Sequence, residues 1–125
     1  MKVAITAVGE TLDSAVDPRF GRCRYFIIID TETMGFEAIE NESAMGMGGA
    51  GPQAAQAIFN KGARVVITGN VGPNAFQVLK AAGITVLTGA SGTVREMVAR
   101  YMNGELTETD APTVSSHAGI GSRNR

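Results

Sequence analysis

The stretch RVVITGNVGPNAFQVLKAAGITVL, residues 64–87, decides the fold. It opens on a short β-branched run, residues 64–68, that suits a strand covered on both faces. Gly69 to Gly72 turn the chain, and Pro73 then fits the first position of a helix, where its missing N–H is not needed. Ala75, Val78, Leu79 and Ala82 recur at helical spacing, Gly83 ends the helix, and residues 84–87 return at once to strand character. Strand, helix and strand in immediate succession form a crossover unit, and crossovers make parallel neighbours.

Residues 2–8 (KVAITAV) are apolar on both faces and predict a central strand ended by Gly9. Residues 25–30 (YFIIID) predict a second buried strand, and residues 36–40 (FEAIE) alternate as a half-exposed hairpin partner on an edge. Pro52 opens a helix carrying Ala55, Ile58 and Phe59 on one face before Gly62. A last helix starts at the capping-box pair Thr93 and Glu96, and Val94, Met97, Val98, Tyr101 and Met102 form its apolar stripe. The sum is an α/β domain over residues 1–106, with a mixed five-stranded sheet and three helices. Residues 107–125 hold few large apolar groups to offset the entropy of ordering and predict a flexible tail.

A chain of 125 residues with 44% apolar content has room for one core. Eleven Lys plus Arg against twelve Asp plus Glu leave no basic surface of the kind nucleic acid demands. Residues 3–8 are too short for a secretory apolar region and no later run could span a bilayer, so a soluble cytoplasmic protein is expected. Cys23 alone can form no intrachain disulfide.

Three glycine-rich loops lead into predicted helices: residues 45–51 (MGMGGAG), 69–74 (GNVGPN) and 89–93 (GASGT). A helix start exposes unpaired N–H groups at the positive end of the peptide dipole, so starts gathered at one sheet edge would cradle an anion. The expected cradle is Gly48, Gly49, Gly51, Gly69, Asn70, Gly72, Asn74 and Gly89. Any one such loop is better explained as capping a helix and turning the chain; three together point further. Gly46, Gly48 and Gly51 match a dinucleotide fingerprint, but they follow a hairpin strand, and the next strand ends without the acid that would hold a ribose. The helix that follows opens Pro52-Gln53, without a phosphate-loop lysine.

Residues 17–22 (DPRFGR) supply Arg19 and Arg22, which face either an anion or a nearby carboxylate, Asp17 or Asp13; Phe20 reads as a core plug. Metal ligands are few. Cys23 is either a small apolar residue or a thiolate ligand, Met45 and Met47 suit a soft ion such as Cu(I) or fill a gap, and His117 lies in the tail. A closed zinc site is excluded by count. Catalysis is weakly supported: the predicted domain has no histidine to activate a nucleophile, and the first strand has no acidic residue. The order of elements is similar to that of ribonuclease H-like nucleases, whose two-metal chemistry needs carboxylates in the sheet.

Residues 3–8, residues 20–22 (FGR) before Tyr25 and Phe26, residues 49–51 (GAG), residues 69–75 (GNVGPNA), residues 82–84 (AGI) and residues 104–106 (GEL) together resemble the dinitrogenase iron–molybdenum cofactor biosynthesis family from about residue 2 to about residue 106. The resemblance implies a ribonuclease H-like three-layer fold and the carrying of a molybdenum- or iron-containing sulfur cluster. Residues 17–22 look especially like the orange-protein branch of anaerobic bacteria, which holds a molybdenum–copper sulfide cluster noncovalently. It also implies a MinD-type ATPase as a partner. Many relatives carry a histidine near the first glycine loop, where this chain has methionines. Two other functions remain open at this stage: a cofactor-free interaction module that docks on such an ATPase through Arg123 and Arg125, and an enzyme acting on a phosphorylated small molecule.

Overall fold

The computed structural model describes residues 1–42 and 50–114. Strands β1 (Lys2–Ala7), β2 (Tyr25–Asp30), β3 (Phe36–Glu40), β4 (Ala63–Ile67) and β5 (Thr85–Leu87) form one sheet in the order β3-β2-β1-β4-β5. Helices α1 (Ala50–Asn60), α2 (Pro73–Ala81) and α3 (Val94–Met102) complete it. The chain thus has the expected mixed five-stranded α/β fold with β1 at the centre and β3 on an edge. β1, β2 and β3 pair antiparallel, and β1, β4 and β5 pair parallel, as the two kinds of connection require.

Period-two alternation divides the apolar residues between two cores. Val3, Ile5, Ile27, Ile29 and Ile67 face α3, packing with Val94, Met97 and Val98. Ala4, Phe26, Ile28 and Val66 face the other way, against Ala54, Ala55 and Ile58 of α1 and Ala75, Phe76 and Leu79 of α2. Three layers follow, with two helices on one face and one on the other.

Helix α1 begins at Ala50, two residues before the expected Pro52. Proline is accepted there because the first helical N–H groups have no partner in the helix to lose. At α3 the capping box forms as its spacing predicts: Glu96 N–H donates to the Thr93 hydroxyl at 3.1 Å, and Thr93 N–H donates to Glu96 Oε1 at 2.8 Å. Thr93→Ala should therefore cost about 1 kcal/mol in chemical denaturation, the usual worth of an N-cap.

After α3 the chain does not leave the body at Leu106 as its composition suggests. Thr109 N–H donates to Val86 O at 2.7 Å, the Thr88 and Thr109 hydroxyls are hydrogen-bonded, and Thr113 N–H donates to Val71 O at 2.9 Å. The segment holds on through backbone pairing along β5, which an apolar count does not register. Residues 115–125, including His117, Arg123 and Arg125, lie outside the described residues. No helix among the described residues is long and apolar enough to cross a membrane.

Candidate functional site

The sheet register gathers the loops at one rim. Ala7 pairs with Tyr25 and Tyr25 with Glu40, so the end of β1, the start of β2 and the end of β3 lie side by side. The parallel pairs Ile5–Ile67 and Ile67–Leu87 bring the ends of β4 and β5 to the same edge. Each helix runs away from this rim, so all three starts lie along it. Convergence of the glycine turns, the geometric premise of an anion site, therefore holds for the described loops.

Loop 17–22 is stitched between its neighbours. Asp17 N–H donates to Thr6 O at 2.9 Å, Asn70 N–H donates to Pro18 O at 2.7 Å, and Phe20 N–H donates to Asn70 O at 3.2 Å. Asn41 closes the far end: its Nδ2 donates to Gly21 O at 3.0 Å and to Cys23 O at 2.9 Å. Phe20 is the expected plug, buried with its ring centroid 5.6 Å from that of Phe26.

Glycine is needed where these segments touch. Gly21 has φ +94°, and a Cβ there would come within 3.0 Å of the Gly51 Cα. A Cβ on Gly51 would stand 2.8 Å from the Cβ of Ala75. The arginine loop, the start of α1 and the start of α2 thus pack with no more than the Ala75 methyl between them, which puts two positive helix ends beside loop 17–22.

The predicted cradle is only partly available. Gly89 N–H donates to Gly69 O at 2.9 Å, Ala90 N–H to Thr68 O at 3.1 Å and Val94 N–H to Ser14 O at 3.0 Å. The third loop thus uses these amides within the protein, and α3 seals its own start with Glu96. The Asn70 amide is likewise taken by Pro18, and Val71 N–H donates to Thr113 Oγ1 at 2.8 Å. Helix α2 is different. Its N-cap, Gly72, makes no side-chain cap, Pro73 follows, and a Cβ on Gly72 would meet nothing within 4 Å. The amides of Asn74 and Ala75 thus stand at a helix start left uncapped by its own sequence, with Asn74 exposed and Ala75 packed against Gly51. Gly51, Gly72 and Asn74 belong to one corner of the rim; Gly89 does not donate there. Gly48, Gly49, Met45 and Met47 lie outside the described residues.

Asp17 settles the partner of Arg19. Arg19 Nε donates to Asp17 Oδ1 and Nη2 to Oδ2, both at 3.2 Å, and Arg19 N–H donates to Oδ1 at 3.0 Å. The Asp17 side chain is 4% exposed, whereas that of Arg19 is 67% exposed. The hydrogen bond to Asp17, then its charge, hold the Arg19 guanidinium above its ordinary pKa. Asp13, the other carboxylate considered, pairs with Arg95 at 2.9 Å. Arg22 is exposed on the same loop.

Cys23 sits in the core rather than at the rim surface. It is fully buried beside Phe20 and Phe26, and burial, then the Asp17 charge, push its thiol up to about 12. A group protonated throughout the physiological range behaves as a small apolar residue. Among the described residues no cluster of three His, Cys, Asp or Glu side chains could hold a metal ion. The corner instead offers outward amides, two helix dipoles and arginine, a donor set for an anion that brings its own metal ligands.

Comparison with known proteins bears on the family and the fold. A family model described as dinitrogenase iron-molybdenum cofactor matches residues 1–104. An uncharacterized protein of Methanocaldococcus jannaschii is 33% identical over 110 residues, spanning 85% of this chain and 93% of its own. The apo form of the orange protein from Desulfovibrio gigas superposes with a TM-score of 0.86 at 43% identity, covering 89% of this chain and 94% of that one. A putative NifB protein from Thermotoga, solved by NMR, gives a TM-score of 0.75 at 44% identity over 86% of this chain and 91% of its own.

Proposed function

The chain belongs to the dinitrogenase iron-molybdenum cofactor family, and on that premise we propose that it is a noncatalytic carrier for an anionic metal–sulfur cluster. The molybdenum–copper sulfide type is the one its orange-protein likeness favours. The observation that carries this reading is the corner where the uncapped start of α2, the start of α1 and the arginine loop meet at one rim of the sheet. The residues fit such a group. Gly72 leaves open space before the α2 amides, and the one carboxylate buried in loop 17–22, Asp17, is matched by Arg19.

In the bound state the exposed amide of Asn74 would donate to sulfur at the cluster surface, and the positive ends of α1 and α2 would offset its charge. Arg19 and Arg22 would add charge-assisted hydrogen bonds. Sulfide bridges supply the metal coordination, so the protein needs no thiolate of its own. Recognition then rests on charge and shape, which suits a carrier that must later give its cargo up. A MinD-type ATPase is a fitting recipient partner for this reading.

Tetrathiomolybdate with a copper salt, added to the apo-protein, should give visible absorption that stays with the protein through gel filtration. Arg19→Ala and Arg22→Ala should each weaken binding about tenfold or more, since a hydrogen bond to a charged group is worth about 1.5–3 kcal/mol. Colour that elutes with the small molecules would overturn the proposal.

A further inference from the structure

A carboxylate buried beside an anion site would ordinarily oppose the ligand, so Asp17 calls for an explanation. Its side chain is 4% exposed, and its backbone is fastened to β1 by the bond from Asp17 N–H to Thr6 O and by the Thr6 hydroxyl, which donates to Asp17 O. The carboxylate is thus part of the rigid body. It spends both oxygens on Arg19, taking the backbone N–H and Nε at Oδ1 and Nη2 at Oδ2.

Arg19 is itself pinned at its main chain, because the residues on either side of it, Pro18 and Phe20, both bond Asn70. A long side chain that is 67% exposed would otherwise sample many rotamers. Here the fork fixes its plane. A guanidinium has five N–H donors, and Asp17 engages two of them, at Nε and Nη2. The Nη1 edge and the outer Nη2 proton have no partner among the described residues.

From this geometry we infer that Asp17 is a positioning residue for the anion site: it holds Arg19 with its outer edge turned to the ligand. The inference rests on the carrier reading and deepens it. Asp17 makes no contact with the ligand. It removes the ordering cost that a mobile arginine would impose at binding. The competing view is a brake, in which Asp17 merely occupies Arg19 and neutralises it. The two views predict opposite signs.

The test is a double-mutant cycle on the full chain, with affinity for tetrathiomolybdate, added with a copper salt, as the readout. Asp17→Asn retains an oxygen for the Arg19 backbone N–H but loses the charge. Positioning predicts that Asp17→Asn weakens binding about two- to tenfold more in wild type than in an Arg19→Ala background, the range expected for ordering one long side chain. A brake predicts relatively tighter binding in the wild-type background, and that result, or equal effects in both, would overturn the inference while leaving the carrier reading intact. Wild-type protein that binds no tetrathiomolybdate would overturn both. Arg19→Lys covers the case in which Asp17→Asn does not fold, since it keeps the charge but cannot form the fork. Binding as tight as wild type in that variant would also refute positioning. In the ligand-free protein the Arg19 Nε–H should give a slowly exchanging NMR signal that Asp17→Asn abolishes, and a fast-exchanging signal in wild type would count against the inference.

Discussion

Gly69→Ala is expected to lower the stability of the domain by about 3 kcal/mol, toward the upper end of what overpacking a filled interior costs. The added Cβ would stand 2.6 Å from the Cα of Pro18, 2.7 Å from its Cβ and 2.8 Å from its carbonyl oxygen. Proline backbone cannot rotate aside, so loop 17–22 must lift. Lifting it strains both bonds that join Asn70 to Pro18 and Phe20. Urea unfolding would show the loss as a lower midpoint at unchanged slope, and Gly72→Ala supplies the control. At Gly72 the φ is −83° and a Cβ meets nothing within 4 Å, so alanine should cost under about 1 kcal/mol, the difference between two weak caps. Equal losses at the two glycines would mean that the contact between Gly69 and Pro18 does not hold the rim together.

The second large effect is a loss of stability in alkali traceable to Cys23. Its thiol is pushed up from 9.0 to about 12 by burial and by the charge of Asp17. The folded state therefore keeps a proton that the unfolded chain gives up. Below the unfolded value both states are protonated and no stability is lost; as pH rises from about 9 toward 12, the unfolded state gains by ionising alone. Each pKa unit is worth about 1.4 kcal/mol, so the loss approaches about 4 kcal/mol at the top of that window. Cys23→Ala should remove this component. The stability of wild type relative to this variant should be flat to pH 9 and fall beyond it. A difference that stays flat would show that the thiol ionises in the folded state as readily as in the unfolded chain.

Much of this was legible in the residues. The β2–β3 hairpin, the central place of β1 and the crossover through α2 follow from apolar runs broken by Gly and Pro, whereas the full strand order does not. Thr93 and Glu96 announced the α3 cap three residues apart. The same pair also announced that α3 closes its own start, because a Glu at that position accepts the cap N–H and brings negative charge; counting Gly89 toward an anion cradle overlooked it. Which amides are spent was not legible. Asn70 gives its N–H to Pro18 and Gly89 gives its own to Gly69, and such loop-to-loop bonds depend on register rather than on residue type. The Asp17–Arg19 pair was within reach of the sequence as one of two choices, and the structure decided it by assigning Asp13 to Arg95. Thr109 and Thr113 were hidden because threonine in a polar run looks the same whether it pairs with a strand or with water.

The sheet also works as a partition. On the α3 side the helix start is closed by its own cap, while on the other face the start of α2 has no side-chain cap. Changes confined to the sealed side therefore bear on how robust the protein is, and changes at the open corner bear, under the proposed carrier function, on what it holds. Robustness and the proposed binding have separate addresses in the sequence, so one can be altered while the other stays the same.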